Sequence, residues 1–306
     1  MRIDRIGKIA DDFYVLGHSF APIYFLDGPS PALFDAGFAR LARLYEQDIK
    51  DVLGSRSPAY LFITHSHWDH VGAAGFFKNL WPEMQVVGSH KAGEIMAKTE
   101  VTRFITEFTQ RSKTFCEDIG AGSACEDPFI SFEFDLLLNP DEPVELAPGC
   151  SVQALHTPGH TRDFMSYWLP EKKILIASEA VGCDFGNGRI ETEFLVDYGT
   201  YRSSMKRLAR LDADILCLGH RLVLTGEDVK DHMRRSLEQS AEWVAMVKDI
   251  LLAEGGDIER TVSRIKELEW DHIPRPKQPE HAYEINTRTR VKAIREDMQK
   301  KKIDFG

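Results

Sequence analysis

Short apolar runs broken by turn residues open the chain. Residues 13–16, 23–26 and 32–37 are separated by Gly, Pro and Asp and read as strands. Helical spacing takes over from about 39 to 53 and stops at Gly54. The continuous apolar run 60–64 reads as a buried strand. Small side chains at 71–77 would let a helix come close to it, and Val86-Val87 marks another strand. Between about 91 and 135 the strand rhythm fails. Phe104, Ile105 and Phe108 fall at helical spacing there, and Phe115, Phe129, Phe132 and Phe134 add aromatic surface. The pattern predicts a helical insertion that either covers a site as a lid or packs its aromatics onto the body.

Strands resume at 151–155, 165–169, 173–177 and 215–218. Beyond Thr225 the pattern is helical. Residues 225–228 resemble a capping box. Leu237, Ala241, Val244, Val247 and Leu251 form an apolar stripe that ends at Gly255-Gly256. A shorter helix is expected at 258–269, a stiff linker at Pro274, Pro276 and Pro279, and a last helix over about 280–301. The expected organisation is an α/β domain over 1–224, with its insertion at about 91–135, followed by a helical C-terminal extension over 225–306.

Composition narrows the partners. A net charge of −10 over 306 residues argues against a nucleic acid, which needs a basic face. No apolar run approaches membrane-spanning length, and the first residues lack the apolar core of a signal peptide. Five scattered cysteines (Cys116, Cys125, Cys150, Cys183, Cys217) form no Cys-x-x-Cys pair and read as reduced thiols. A cytoplasmic location and no membrane partner are the resulting expectations; a homodimer is a further expectation that composition does not decide.

The candidate chemistry is concentrated in six residues. His65, His67, Asp69 and His70 follow the predicted strand at 60–64 directly. Imidazole and carboxylate are ligands for zinc, iron or manganese, and strand ends are where α/β proteins assemble sites. At i and i+2 in extended chain, His65 and His67 face one side. His160, Glu179 and His220 follow later strands in the same manner. No Gly-x-Ser-x-Gly elbow is present to suggest a serine nucleophile.

His65-x-His67-x-Asp69-His70, Thr157-Pro-Gly-His160 and Gly219-His220 resemble the signature of the metallo-β-lactamase superfamily, over about residues 10–225. The resemblance implies an αββα sandwich with two divalent metal ions at one edge, zinc foremost and iron or manganese as alternatives. It implies that His65, His67 and His160 hold one ion, that Asp69, His70 and His220 hold the other, and that Glu179 bridges them. Glu179 departs from the usual bridging Asp and reaches about one methylene further. Asp35, in Phe34-Asp-Ala-Gly37, matches the family's Asp-x-Gly and implies support of a ligand histidine. His156 is expected behind the ligands, and Cys183, His281 and Tyr283 are candidates for a substrate pocket.

Such a centre implies hydrolysis by a metal-bridging hydroxide, with Asp69 and Glu179 as the catalytic carboxylates. No general acid is evident beside the motif. A thiolate, with a pKa near about 8.5, leaves without one, so a thioester or ester of a small-molecule acyl group is the expected substrate. The helical end resembles those of hydroxyacylglutathione hydrolases and quinolone-signal response thioesterases. Two other readings stay open: a mononuclear iron oxygenase of the persulfide dioxygenase type, and a non-enzymatic regulatory or binding protein.

Overall fold

The computed structural model describes residues 1–121, 127–184, 188–221, 223–303 and 305. In chain order its strands begin with β1 (Arg2–Ile3), β2 (Gly7–Ala10), β3 (Phe13–His18), β4 (Ala21–Leu26), β5 (Ala32–Phe34), β6 (Tyr60–Phe62), β7 (Gln85–Ser89) and β8 (Leu136–Leu138). They continue with β9 (Pro143–Ala147), β10 (Cys150–His156), β11 (Met165–Leu169), β12 (Ile174–Ile176), β13 (Cys183–Asp184), β14 (Ile190–Glu191), β15 (Ile215–Cys217) and β16 (Val223–Thr225). The helices are α1 (Ala42–Leu53), α2 (Ala74–Leu80), α3 (His90–Met96), α4 (Thr99–Arg111), α5 (Lys113–Asp118), α6 (Tyr198–Leu208), α7 (Glu227–Ala253), α8 (Ile258–Glu269) and α9 (Glu280–Lys300).

Two seven-stranded sheets form the body, one ordered β2 to β8 and the other β1-β16-β15-β12-β11-β10-β9. Strand β4 explains why they stack. All six of its residues are buried because both of its faces are covered. Tyr24 and Leu26 join Tyr167, Leu169 and Ile176 of the second sheet in the central core. Ile23 and Phe25 point the other way and pack with Tyr45 and Ile49 of α1. The second sheet repeats this on its outer face. There Leu175, Leu216 and Leu224 meet Met205 of α6, Val244 and Val247 of α7, and Val291 and Ile294 of α9. The layers therefore run helix, sheet, sheet, helix.

Burying each such side chain contributes roughly 1.5–3 kcal/mol. Exposed ion pairs such as Arg288 to Glu259 (2.7 Å) are worth about 1 kcal/mol at most, so the apolar seam holds α7 to α9 on the sheet. No described helix is long and apolar enough to cross a membrane.

Two local expectations are corrected. The strand at 60–64 ends at Phe62, because the Thr64 N–H turns away to the Asp35 carboxylate (2.8 Å). The capping box at 225–228 does not form. Gly226 is the N-cap of α7 without a side-chain bond, Thr225 belongs to β16, and Asp228 pairs with the N-terminal ammonium (2.9 Å). Side-chain caps are instead supplied by Ser89 on α3, Asp197 on α6 and Asp257 on α8. Cys150, Cys183 and Cys217 are free thiols, and Cys125 lies outside the described residues.

Candidate metal centre

Every candidate ligand leaves the end of a strand on one edge of the sandwich. His65, His67, Asp69 and His70 follow β6, His160 follows β10, Glu179 follows β12 and His220 follows β15. The turns that aim them are unusual. Ser178 has a φ of 49° and lifts Glu179 into a short 3-10 turn, while Arg221 has a φ of 64° directly after His220. Both are backbone states that non-glycine residues rarely adopt and that cluster at functional sites. A Cβ on Gly219 would stand 1.9 Å from the Glu179 carboxylate, so glycine makes the room that the longer side chain needs. The small residues at 71–77 act as expected. A Cβ on Gly72 would lie 2.3 Å from the Ala39 backbone nitrogen, and α2 starts immediately behind the histidines.

The side chains gather into two donor triads and a link between them. His65, His67 and His160 form one, Asp69, His70 and His220 the other, and Glu179 groups with His65 and His70, one from each. The Glu179 carboxylate lies 3.0 Å from His70 Nε2, 3.2 Å from His220 Nε2 and 3.9 Å from His65 Nε2. His65 Nε2, His70 Nε2 and Glu179 Oε1 are buried without a hydrogen-bond partner. Buried polar atoms are rarely left so, since the desolvation cost is about 1–3 kcal/mol each. A cation between them removes that cost, and the mixed imidazole and carboxylate donors suit a divalent transition metal.

The outer nitrogens of His65, His70, His160 and His220 are engaged, while His67 Nδ1 lies 3.1 Å from His160 Nε2. His70 Nδ1–H donates to Asp35 (2.8 Å). The Thr64 hydroxyl donates to the same carboxylate (2.9 Å) and in turn accepts from His65 Nδ1–H (3.0 Å). One aspartate thus orients a histidine of each triad, directly and through Thr64. Asp35 itself takes a φ of 60°, a conformation that Asp tolerates better than most residues. His160 Nδ1 meets the Glu193 carbonyl, and His220 Nδ1 donates to the Phe20 carbonyl (2.8 Å). These bonds fix which ring nitrogen is left facing inward.

Titration fits that geometry. Burial, then the neighbouring His160, pushes His67 down to about 4, and burial also lowers His65, so both present neutral rings at neutral pH. Burial would lower His70 as well, but the Glu179 and Asp35 carboxylates outweigh it and hold His70 up. Burial acts upward on Glu179, yet His70, His65 and His220 hold it well below the usual carboxylate range.

The centre opens into a cavity of about 960 Å³, counting its mouth. Phe20, Phe38 and Trp68 line it from the body, Phe104, Phe108 and Phe115 from the insertion, and Gln278, Pro279, Ala282, Ile285 and Asn286 from the C-terminal region. The insertion aromatics therefore wall the site as well as packing on the body: Phe115 also belongs to the core outside the first sheet. Cys183 lines the cavity as expected, but burial, then Glu179, raises its thiol pKa well above the ordinary value and leaves it inert.

Three expected positions are corrected. His281 and Tyr283 do not line the cavity. His281 lies tilted against Phe108 (4.5 Å between centroids) and Tyr283 tilted against Trp270, because α9 turns its 282, 285 and 286 face to the site instead. His156 does not back a ligand. Its Nε2 bonds the Arg162 carbonyl (3.2 Å) and closes the loop that carries His160. The residues missed were Thr64, whose position just before the cluster was the available signal, and Glu191 and Glu193, which have no motif.

Comparison with known proteins follows the same lines. The family model described as the metallo-beta-lactamase superfamily matches residues 19–220. A beta-lactamase-like protein 2 homolog of Caenorhabditis elegans is 24% identical over 260 residues, 81% of this chain and 75% of its own. A hydroxyacylglutathione hydrolase of Haemophilus influenzae is 29% identical over 164 residues, 52% of this chain and 67% of its own. Among solved structures, a metallo-beta-lactamase family protein of Thermus thermophilus superposes with a TM-score of 0.66 at 18% identity, covering 96% of this chain and 95% of that one.

Proposed function

The chain belongs to the metallo-beta-lactamase superfamily, and on that premise we propose that it is a hydrolase with two adjacent metal sites that cleaves an ester or thioester of a small acyl molecule. One observation carries the reading: two donor triads are joined by Glu179, with buried lone pairs on both sides left without partners. A single-ion oxygenase has no use for the second triad, which weighs against that alternative. Two divalent ions in such a site, with zinc the first choice, would lower the pKa of water to near neutrality and polarise the substrate carbonyl.

His65, His67 and His160 would hold the first ion, Asp69, His70 and His220 the second, and Glu179 would touch both. Asp35 and Thr64 keep the His65 and His70 rings in the tautomer that faces inward. The aromatic side chains exclude water around the acyl group and orient it against the centre. Asp69, at the more open triad, is the carboxylate best placed to accept and pass a proton; it lies 3.6 Å from His220 Nε2. Chelation followed by reconstitution tests the proposal. Hydrolysis of an aromatic thioester should vanish with the metal and return with zinc, manganese or iron. Full activity in the stripped protein would contradict it.

A further inference from the structure

The cavity lining carries charge that the proposed chemistry does not use. Glu191, at the end of β14, and Glu193 line it in addition to Glu179 and Asp69. Glu193 is framed by amides: Asn286 Nδ2 donates to its carboxylate (2.9 Å) and Gln278 Nε2 does the same (3.3 Å). The Glu191 carboxyl is different. Among the described residues it makes no hydrogen bond or ion pair, although it stands inside a cavity wall. Gln278 Oε1, on the facing segment, is also buried without a partner.

The cations nearby are committed elsewhere. Arg189 pairs with Glu269 (2.7 Å). Arg290 bonds the Thr192 carbonyl (3.3 Å), stacks on Trp243, and stands outside the lining. Arg221 lies over Phe20 and pairs with Asp4 (2.9 Å). No lysine or arginine occurs among the described lining residues. Phe20, Phe38, Trp68, Phe104, Phe108 and Phe115 make much of the rest of the lining aromatic, and Phe104 and Ile285 remain exposed at 45% and 40%.

An anionic thiol such as 3-mercaptopropionate or a nucleotide-bearing thiol would bring its charges against these carboxylates with no lysine or arginine in the described lining to receive them. Like charges brought close together in a partly buried site repel strongly enough to decide specificity.

We propose that Glu191 and Glu193 form a recognition subsite for an ammonium or other hydrogen-bond-donating group, so that the substrate is an apolar ester or thioester carrying a neutral or cationic group and no anionic one. The proposal rests on the hydrolase reading above and narrows it. The step balances simply: water adds across the acyl bond, the carbon–sulfur or carbon–oxygen bond breaks, a new carbon–oxygen bond forms, and the acid and the thiol or alcohol leave.

The test compares benzoyl thioesters of thiocholine, N-acetylcysteamine, 3-mercaptopropionate and mercaptosuccinate on the metal-reconstituted protein. The cationic and neutral thioesters should exceed the anionic ones in kcat/KM by about tenfold or more, and Glu191→Gln should compress the spread several-fold. Calorimetry gives a second reading without turnover: phenethylamine should bind more tightly than its N-acetyl derivative, and Glu191→Gln should remove the difference. Faster cleavage of the anionic thioesters, or a spread and a binding preference unchanged by Glu191→Gln, overturns the subsite. Ammonium preference in binding with no thioester cleaved would instead overturn the hydrolase reading and leave the subsite standing.

Discussion

The metal centre and the wall around it are built on opposite plans. The centre takes its donors from strand ends and tight turns between residues 65 and 220, locked by bonds that converge on Asp35. Much of the wall comes from two largely helical segments outside the strands, near 104–115 and 278–286, with Phe20, Phe38, Trp68, Glu191 and Glu193 completing it. The centre is rigid, polar and charged; most of the wall is apolar, and its charged residues are acidic. Reaction type therefore resides in the first region and substrate choice in the second, which is how one scaffold carries different activities.

The largest expected effect breaks the centre. His67→Ala or His160→Ala should lower kcat/KM on the order of 10³-fold or more and lower the metal content measured on the same sample. Retention of either quantity would separate the histidines from the chemistry. Asp35→Asn comes next. It weakens the hold on His65 and His70 together, so metal affinity should fall by about 10–100-fold, read by chelator competition, with the fold kept by circular dichroism.

The wall should respond differently. Phe108→Ala should raise KM for an aromatic thioester by roughly tenfold while metal content stays at the wild-type value. If metal were lost as well, the two regions would not be separable. The smallest effect is one of pH. Glu191 is raised to about 7 by burial, then by Glu193, with Glu269 adding to the rise and Arg189 and Arg290 opposing it. Below that pH its carboxyl is neutral and above it anionic. The preference for a cationic over a neutral thioester should therefore grow a few-fold from pH 6 to pH 8, a ratio from which ionisation of the centre cancels.

This contrast also sets what the chain discloses on reading. Six of the seven donors lie within motifs and Glu179 follows a strand as they do, while short apolar runs such as β4 and β11 mark the sandwich. The helices at 258–269 and after 280 follow from spacing and punctuation alone. The wall is not legible because it depends on the rotation of α9 about its axis. That rotation presents Ala282, Ile285 and Asn286 to the cavity rather than His281 and Tyr283. Glu191 and Glu193 are ordinary glutamates until β14 places them beside the centre. The short β6 escaped for a related reason, since Thr64 leaves the ladder for a carboxylate 29 residues earlier.

The most direct measurement is the number of zinc ions bound by the chelator-stripped chain on titration, with thioester hydrolysis followed in the same samples. The account predicts saturation at about two ions per chain, with full activity only when both triads are filled. Activity complete at one ion, or a chain that binds none, would contradict it.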